Sequence, residues 1–475
     1  MRKLLLWSGL AFLILPAAAT TASAGNLQVG LASADVTPPL HDDRPVWMAG
    51  YGQGRRATGV HDPLMARALV LSDGERRIAI VGVDSIGLQL PTVRRIRERL
   101  ADYAYVLVAS SHDHEAPDVV GIWGASPLQY GVDEAYLDLI VERTVGAVRA
   151  AEKLLAPSLA AYGTNSAPRL LRDSRLPHVL DEVLRVVAFY SAADSQRTQP
   201  TGLLVQWNCH PEELGSRNTL LTADFVYAAV AELEKRYGCP VVYVSGALGG
   251  LLAPPGGLYQ DESGKQLPGG TFEYAERYGR DVAAAAAEAV ESASPVALTP
   301  LESFTETVYV PVENPAYRLA QTLGVLRRES FLWTGDALRR GEPPVGERRK
   351  ELASLETEVG VVRLGELYAA CIPGELYPEL VYGKLQEPGE PGADFPDAPR
   401  EPHVTKLLPS EKLLVVGLAN DEIGYLIPKR QWDVRPPYCY GRRTSQYGEI
   451  NSCSADAAAI VMQSLARCAE RAAAK

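Results

Sequence analysis

The chain has 475 residues, 47% of them apolar and 22% charged, with a formal net charge of −11. That apolar content is enough for a large core, which excludes a disordered chain and a small disulfide scaffold. Lys+Arg number 47 against Asp+Glu 58, and this acidic balance excludes nucleic acid as an expected partner, because phosphate binding needs clustered Lys and Arg.

Arg2 and Lys3 open the chain, followed by the apolar run Leu4–Leu15, Pro16, and then Ala22-Ser23-Ala24. A basic start, an apolar middle and a small-residue end are the order of a secretory signal peptide, and the run is too short for a membrane span. The expectation is a leader over 1–24 and a secreted or periplasmic mature domain over 25–475, with no transmembrane anchor after cleavage. Strand-like runs follow at Leu64–Leu71 and Arg77–Asp84, and Ser72-Asp73-Gly74-Glu75 between them is turn chemistry, so the pair reads as a hairpin. Pro91–Leu100 reads as a helix and Tyr105–Ala109 as the next strand. Apolar residues at Leu137, Ile140, Val141, Val145 and Val148 predict a helix over Asp133–Leu155. Two more helices are predicted: Ala223–Tyr237, capped near Thr222 and stopped at Gly238, and the alanine-rich Phe272–Ser292.

Further strands are predicted at Glu182–Phe189, Gly202–Trp207, Pro240–Val244, Glu366–Ile372 and Lys412–Leu418. The Pro/Gly-rich stretches 253–269 and 386–402 read as surface loops. Strands alternating with helices predict an α/β (mixed α+β) fold, with central mixed sheets flanked by helices. The sequence carries no signal for an oligomeric state. Of the six cysteines, Cys439 and Cys453 share one loop-rich segment and are the expected disulfide; no Cys-x-x-Cys pair exists to suggest a zinc ribbon.

The placement of polar residues is more informative. The Tyr105–Ala109 strand runs out into Ser110-Ser111-His112-Asp113-His114-Glu115-Ala116-Pro117, and Gly202–Trp207 runs out into Asn208-Cys209-His210-Pro211-Glu212. Glu366–Ile372 leads to Pro373-Gly374-Glu375, Lys412–Leu418 to Asn420-Asp421-Glu422-Ile423-Gly424-Tyr425, and Arg77–Val83 to Asp84. Ligand-type residues just past the C-terminal ends of strands match where open α/β sheets bind. If the ends converge, they supply imidazoles, carboxylates and a phenol, a donor set that suits zinc. His112 and His114, two apart on extended backbone, can face one site. Asp84 either orients a ligand imidazole or simply ends its strand. His61 is a turn histidine that could line the same site, while His41, His178 and His403 sit among loop-like neighbours and are expected to be solvated. The loop Val119–Tyr130, with Ile122, Trp123, Leu128 and Tyr130, is a candidate wall for an apolar pocket. Ser245–Gly250 lacks the Gly-Lys-Ser/Thr ending of a phosphate loop, and no Gly-x-Ser-x-Gly or His-Glu-x-x-His motif occurs.

Taken in order, Gly30–Pro39, Gly59–Ala68 (GVHDPLMARA), Ser110–Pro117 (SSHDHEAP), Trp207–Asp224 (WNCHPEELGSRNTLLTAD), Ser245–Pro255, Pro373-Gly374-Glu375 and Asn420–Tyr425 resemble the neutral/alkaline non-lysosomal ceramidase family, in its N-terminal catalytic domain. The resemblance implies a zinc ion held by His112, His210, Glu375 and Tyr425. It also implies His114 as acid/base or oxyanion contact, Tyr425 as a catalytic oxyanion donor as well as or instead of a ligand, and Arg175 as a substrate-positioning arginine. It carries the expectation of a secreted zinc-dependent hydrolase that cleaves an amide bond in a lipid or other small-molecule substrate by metal-activated water. The alternatives are a zinc hydrolase of a non-lipid amide or ester, and a non-catalytic binding protein of the same fold. One departure is plain: where the family has a catalytic serine, this chain reads Gly249-Gly250-Leu251-Leu252-Ala253-Pro254. The family's C-terminal β-sandwich domain is not expected here.

Overall fold

Strand alternation sorts the apolar side chains into layers. A computed structural model describes residues 26–408 and 410–474; the leader expected over 1–24 lies outside the described residues. In the strand Met65–Ser72, Ala66, Ala68 and Val70 face one core and Leu69 and Leu71 another. In Arg77–Val83, Ala79, Val81 and Val83 oppose Ile78 and Ile80, and in Tyr105–Ser110, Val106 and Val108 oppose Leu107. This is the two-residue period of a pleated strand, and with both faces covered the sequence reads as a continuous apolar run.

The first sheet has nine strands. Its order is Val241–Ser245, Pro200–Trp207, Val183–Ser191, Ala156–Ser166, Gln28–Asp35, Met65–Ser72, Arg77–Val83 and Tyr105–Ser110, with Ser294–Val296 beside Ala156–Ser166. One face packs against the helices Glu134–Lys153, Asp224–Tyr237 and Phe272–Glu291, through residues such as Ile140, Val148, Phe225, Val226, Tyr278 and Ala286. The other face meets a five-stranded sheet, ordered Leu301–Pro311, Ala353–Leu364, Leu367–Cys371 and Leu413–Val416, with Phe331–Leu332 beside Ala353–Leu364. Leu367, Ala369, Cys371, Leu414 and Val416 fill this inner core. Tyr368, Ala370, Leu413 and Val415 turn the opposite way, onto Val461, Met462 and Leu465 of the helix Ala457–Ala473. The stack is therefore helices, sheet, sheet, helix, the mixed α/β architecture expected.

Three pairings fix the site. Tyr105–Ser110 runs parallel to Arg77–Val83, Pro200–Trp207 parallel to Val241–Ser245, and Leu367–Cys371 parallel to Leu413–Val416. Within each pair, the C-terminal ends lie together. The two sheets are then laced at those ends: Asn420 N–H donates to Val108 O at 2.7 Å, Val108 N–H to Asn420 Oδ1 at 3.0 Å, and Gly417 N–H to Ser245 O at 3.0 Å.

The hairpin and the helices at 91–100, 133–155, 223–237 and 272–292 fall where expected, within a few residues. Gly238 ends its helix in the left-handed region at φ 64°, while the Thr222 hydroxyl accepts from Asp224 N–H. Sequence patterning passes over the strands Ala156–Ser166, Leu301–Pro311 and Ala353–Leu364 and the helix Ala457–Ala473. Leu301–Pro311 is a sheet edge and carries Glu302, Glu306 and three threonine or serine residues, so its apolar period is broken. The expected Cys439–Cys453 disulfide is corrected: all six thiols are free and buried. Cys453 sits in the core under Ala457–Ala473 and donates to Ile423 O at 3.1 Å, while Cys439 lies against Asp433 in a separate loop cavity. Each behaves as a small apolar residue.

Close approach of the strands makes one glycine testable. A Cβ at Gly82 would lie 2.0 Å from the Tyr243 carbonyl oxygen, and backbone cannot yield as a side chain can. Gly82→Ala is expected to destabilise the protein by about 1–3 kcal/mol or more, read as a lowered midpoint in thermal or urea denaturation followed by circular dichroism.

Candidate metal centre

Past Ser110 the backbone turns sharply, with His112 at φ 67°. A non-glycine residue rarely adopts this region, and doing so costs about 1 kcal/mol or more. Flanking bonds hold it there: Ser111 N–H to Val83 O at 2.9 Å and Asp113 N–H to Ser85 O at 3.0 Å. The His112 ring is fixed by Nδ1 against Ile86 O at 2.7 Å, and the His210 ring by Nδ1 against Leu252 O at 2.8 Å. A carbonyl only accepts, so both Nδ1 atoms carry the proton and both Nε2 atoms face inward. The glycine-rich turn after Ser245 has its role here, since Leu252 O also accepts from His210 N–H at 2.9 Å.

Glu375 arrives from the second sheet. It begins the short strand Glu375–Leu376, paired in parallel with Tyr425–Leu426 so that Glu375 and Tyr425 are register partners. One carboxylate oxygen, Oε2, lies 3.0 Å from His210 Nε2 and 3.3 Å from His112 Nε2. His114 completes the group: the ring nitrogens of His112, His114 and His210 include one from each that lie within 4.8 Å of one another, a set that can hold a metal ion. Both His114 ring nitrogens are buried without a hydrogen-bond partner. The nearest charge is Glu212 Oε2, 3.8 Å from Nδ1. Gly50, at φ 91°, lets the chain pass over this ring; a Cβ there would fall 2.5 Å from it.

Electrostatics follow from these contacts. Burial lowers His112, but the Glu375 carboxylate outweighs it and holds the imidazole at about 9. Burial raises Glu375, yet the imidazoles, His112 foremost, keep its carboxyl well below the usual range. Burial, reinforced by His112 and His210, holds His114 well below its ordinary value. Burial and the Glu375 charge raise the Tyr425 phenol well above its usual value.

His112, His114 and Glu375 of this group line one cavity. Val120, Ile122, Trp123, Leu326, Leu355 and Ile423 give it apolar lining, and Tyr317, Tyr425 and Tyr447 add three phenols. Of the expected loop wall, Ile122 and Trp123 line the cavity, Leu128 is exposed, and Tyr130 bonds Glu134 beneath Arg327. Arg175 lies behind the wall: it forks onto Glu449 at 2.7 and 2.8 Å and donates to Tyr447 O and Gln431 O. It therefore positions the segment that carries Tyr447. Asp84 does not reach an imidazole; it takes Arg67 on both oxygens at 2.8 Å and the Met65 N–H. His61 is removed from the centre, stacked on Phe272 and bonded to Asp62.

Sequence reasoning singled out neither Tyr447 nor Glu422. Glu422 lines the cavity, and burial together with the Glu375 charge pushes its carboxyl up to about 8. It stands beside Asp421, which is bound by Arg328, Thr357 and Leu90 N–H; two adjacent acids give no sign of which faces inward.

No protein-family model matches the chain, and no curated protein matches it in sequence. Solved structures match it in fold. Neutral ceramidase from Pseudomonas aeruginosa superposes with a TM-score of 0.68 at 17% identity, covering 94% of this chain and 75% of that one. A ceramidase complexed with C2 gives 0.67 at 16% identity, over 95% and 76%. At that identity the likeness is one of fold, and it is the fold that the resemblance implied.

A buried acidic group beside His114 sets a pH dependence. Burial pushes Glu115 and Glu213 up to about 8 and Asp224 up to about 7. The folded state therefore keeps protons that the unfolded chain releases from about pH 4 upward, so these groups make stability fall as pH rises towards 8. Thermal midpoints measured at constant ionic strength from pH 5 to 8.5 are expected to decline, with a shallower decline in Glu213→Gln.

Proposed function

We propose that this protein is an exported zinc-dependent hydrolase of the neutral ceramidase kind, cleaving an amide bond in an N-acyl compound. The observation that carries the reading is the meeting of His112 Nε2 and His210 Nε2 on one Glu375 oxygen, with His114 beside them and a cavity with apolar lining. With each Nδ1 donating to a carbonyl, the inward nitrogens meet the carboxylate through positive charge, a proton on His112 or a metal ion in its place. One divalent cation satisfies all three. Imidazole and carboxylate donors suit zinc.

His112, His210 and Glu375 would hold the ion, with Tyr425, register partner of Glu375, closing the shell. Zinc bound there supplies a Lewis acid and a water whose pKa falls to about 7. The chain's own residues do the rest. Backbone carbonyls of Ile86 and Leu252 orient the two imidazoles. His114, neutral and without a protein partner, is free to take the proton released on attack at the carbonyl carbon and to return it to the departing nitrogen, so that C–O forms, C–N breaks and acid plus amine result. Val120, Ile122, Trp123 and Leu326 offer an acyl chain a dry wall, since burying apolar surface is favourable by about 25 cal/mol per Å². The turn Gly249–Ala253 contributes the Leu252 carbonyl and no hydroxyl, which favours an N-acyl substrate other than ceramide itself.

Metal analysis of the purified chain is expected to find one zinc per molecule. His112→Ala and His210→Ala are each expected to lose it while keeping their circular dichroism spectrum. Partners one bond further from a metal typically cost 10- to 100-fold, so each ligand variant is expected to lose more than about 100-fold in amide hydrolysis. Unchanged zinc content in both variants would overturn the ligand assignment.

A further inference from the structure

We infer that Glu422 is the residue with which the cavity reads its substrate: its free carboxyl oxygen accepts a hydrogen bond from an O–H or N–H donor beyond the scissile amide, on the amine side of an N-acyl compound. What enters the cavity rests on the hydrolase reading above; what Glu422 does there rests on its own geometry. Glu422 lines the same cavity as His112, Glu375 and Tyr425. Its Oε1 accepts from Gly424 N–H at 2.6 Å, while Oε2 is buried and has no partner. The side chain is confined on its other flank: a Cβ at Gly87 would lie 2.6 Å from Glu422 Cγ and 2.7 Å from its Cβ. Its own N–H is tied to Asp421 Oδ1 at 2.9 Å.

Asp421 is the informative contrast. Its oxygens are occupied by Arg328, by Thr357 at 2.7 Å and by Leu90 N–H at 2.9 Å. Of two neighbouring acids, one is a fully bonded strut, and the other lines the cavity and keeps one buried carboxyl oxygen without a partner. A buried oxygen left unpaired costs stability, and a ligand that pairs it recovers that cost. Val120, Ile122, Trp123 and Leu326 cannot pair it, and neither can an acyl chain lying on them. The partner must come from the other half of the substrate. A site built to bond a substrate N–H or O–H discriminates strongly against the analogue without it. Arg328, though it lines the cavity, is neutralised by Asp421, so this corner selects a donor over an anion.

The test compares two ligands with the same acyl chain, an N-acyl amino alcohol and an N-alkyl amide of equal length, by isothermal titration calorimetry at pH 9, where the carboxyl is ionised, on the purified full chain, with metal analysis alongside. Wild type is expected to bind the donor-bearing ligand about 10- to 100-fold more tightly. Glu422→Gln keeps an acceptor for Gly424 N–H but turns an amide donor towards the ligand. It is expected to lose at least about 10-fold of that preference, with unchanged affinity for the N-alkyl amide and unchanged zinc content. Glu422→Met, which has no polar atom there, is expected to abolish the preference, and it serves if the glutamine variant misfolds. Equal loss for both ligands, an unchanged preference in both variants, no binding of either ligand by wild type, or loss of zinc from the variants would overturn the inference. Binding needs no turnover: a protein that shows the preference but cleaves neither compound ends the hydrolase reading and leaves Glu422 standing. Cleavage of both with equal affinity does the reverse.

Discussion

A single carboxylate oxygen, Glu375 Oε2, lies between two imidazole nitrogens at 3.0 and 3.3 Å, and the architecture is arranged to bring them there. The two histidines belong to strands at different places in the first sheet, and the glutamate comes from the second. Each imidazole is oriented by a main-chain carbonyl, a partner that cannot reverse its role. Positive charge is needed between these three atoms: a proton on His112 supplies it in the metal-free protein, a cation bound there would supply it to all three, and burial strengthens that demand by removing competing water. The rigidity of the rings and the need for positive charge are two aspects of the same arrangement.

Holding it requires the sheets to stay in register at their ends. The segment after Leu413–Val416 does this: Gly417 bonds the end of one first-sheet strand, Asn420 bonds another through main chain and side chain, and Asp421 gathers Arg328, Thr357 and Leu90 N–H. Local strain accompanies it. His112, Leu418 and Asn420 all have positive φ, at 67°, 47° and 64°, each costing on the order of 1 kcal/mol or more. The lacing hydrogen bonds offset these costs, and strain concentrated at the centre is what a pre-organised site looks like.

The cavity is mixed in chemistry. Its lining combines aliphatic and indole surface with two histidines, two carboxyls and three phenols. Arg175 shows how the polar lining is supported from a distance. Fully buried, it is engaged by Glu449 and by the carbonyls of Tyr447 and Gln431, and so holds the segment that carries Tyr447 to the cavity.

Sequence alone carried the class of fold, because apolar runs bounded by turn residues report strands covered on both faces, and because alanine-rich helical spacing is local. It also carried the imidazoles and the glutamate, since each stands directly after such a run, where a strand ends and side chains are free to converge. What it could not carry is anything set by the meeting of distant segments. Asp84 and Asp421 resemble site residues in sequence and turn out to bind arginines; Glu422 carries the same local sign as Asp421 and lines the cavity instead, and Tyr447 lines it with no local sign. Cys439 and Cys453, close along the chain, are drawn into different packing environments. Those outcomes depend on which neighbours the tertiary structure places around each side chain, and a hydrogen bond or ion pair across hundreds of residues leaves no period in the sequence to be read.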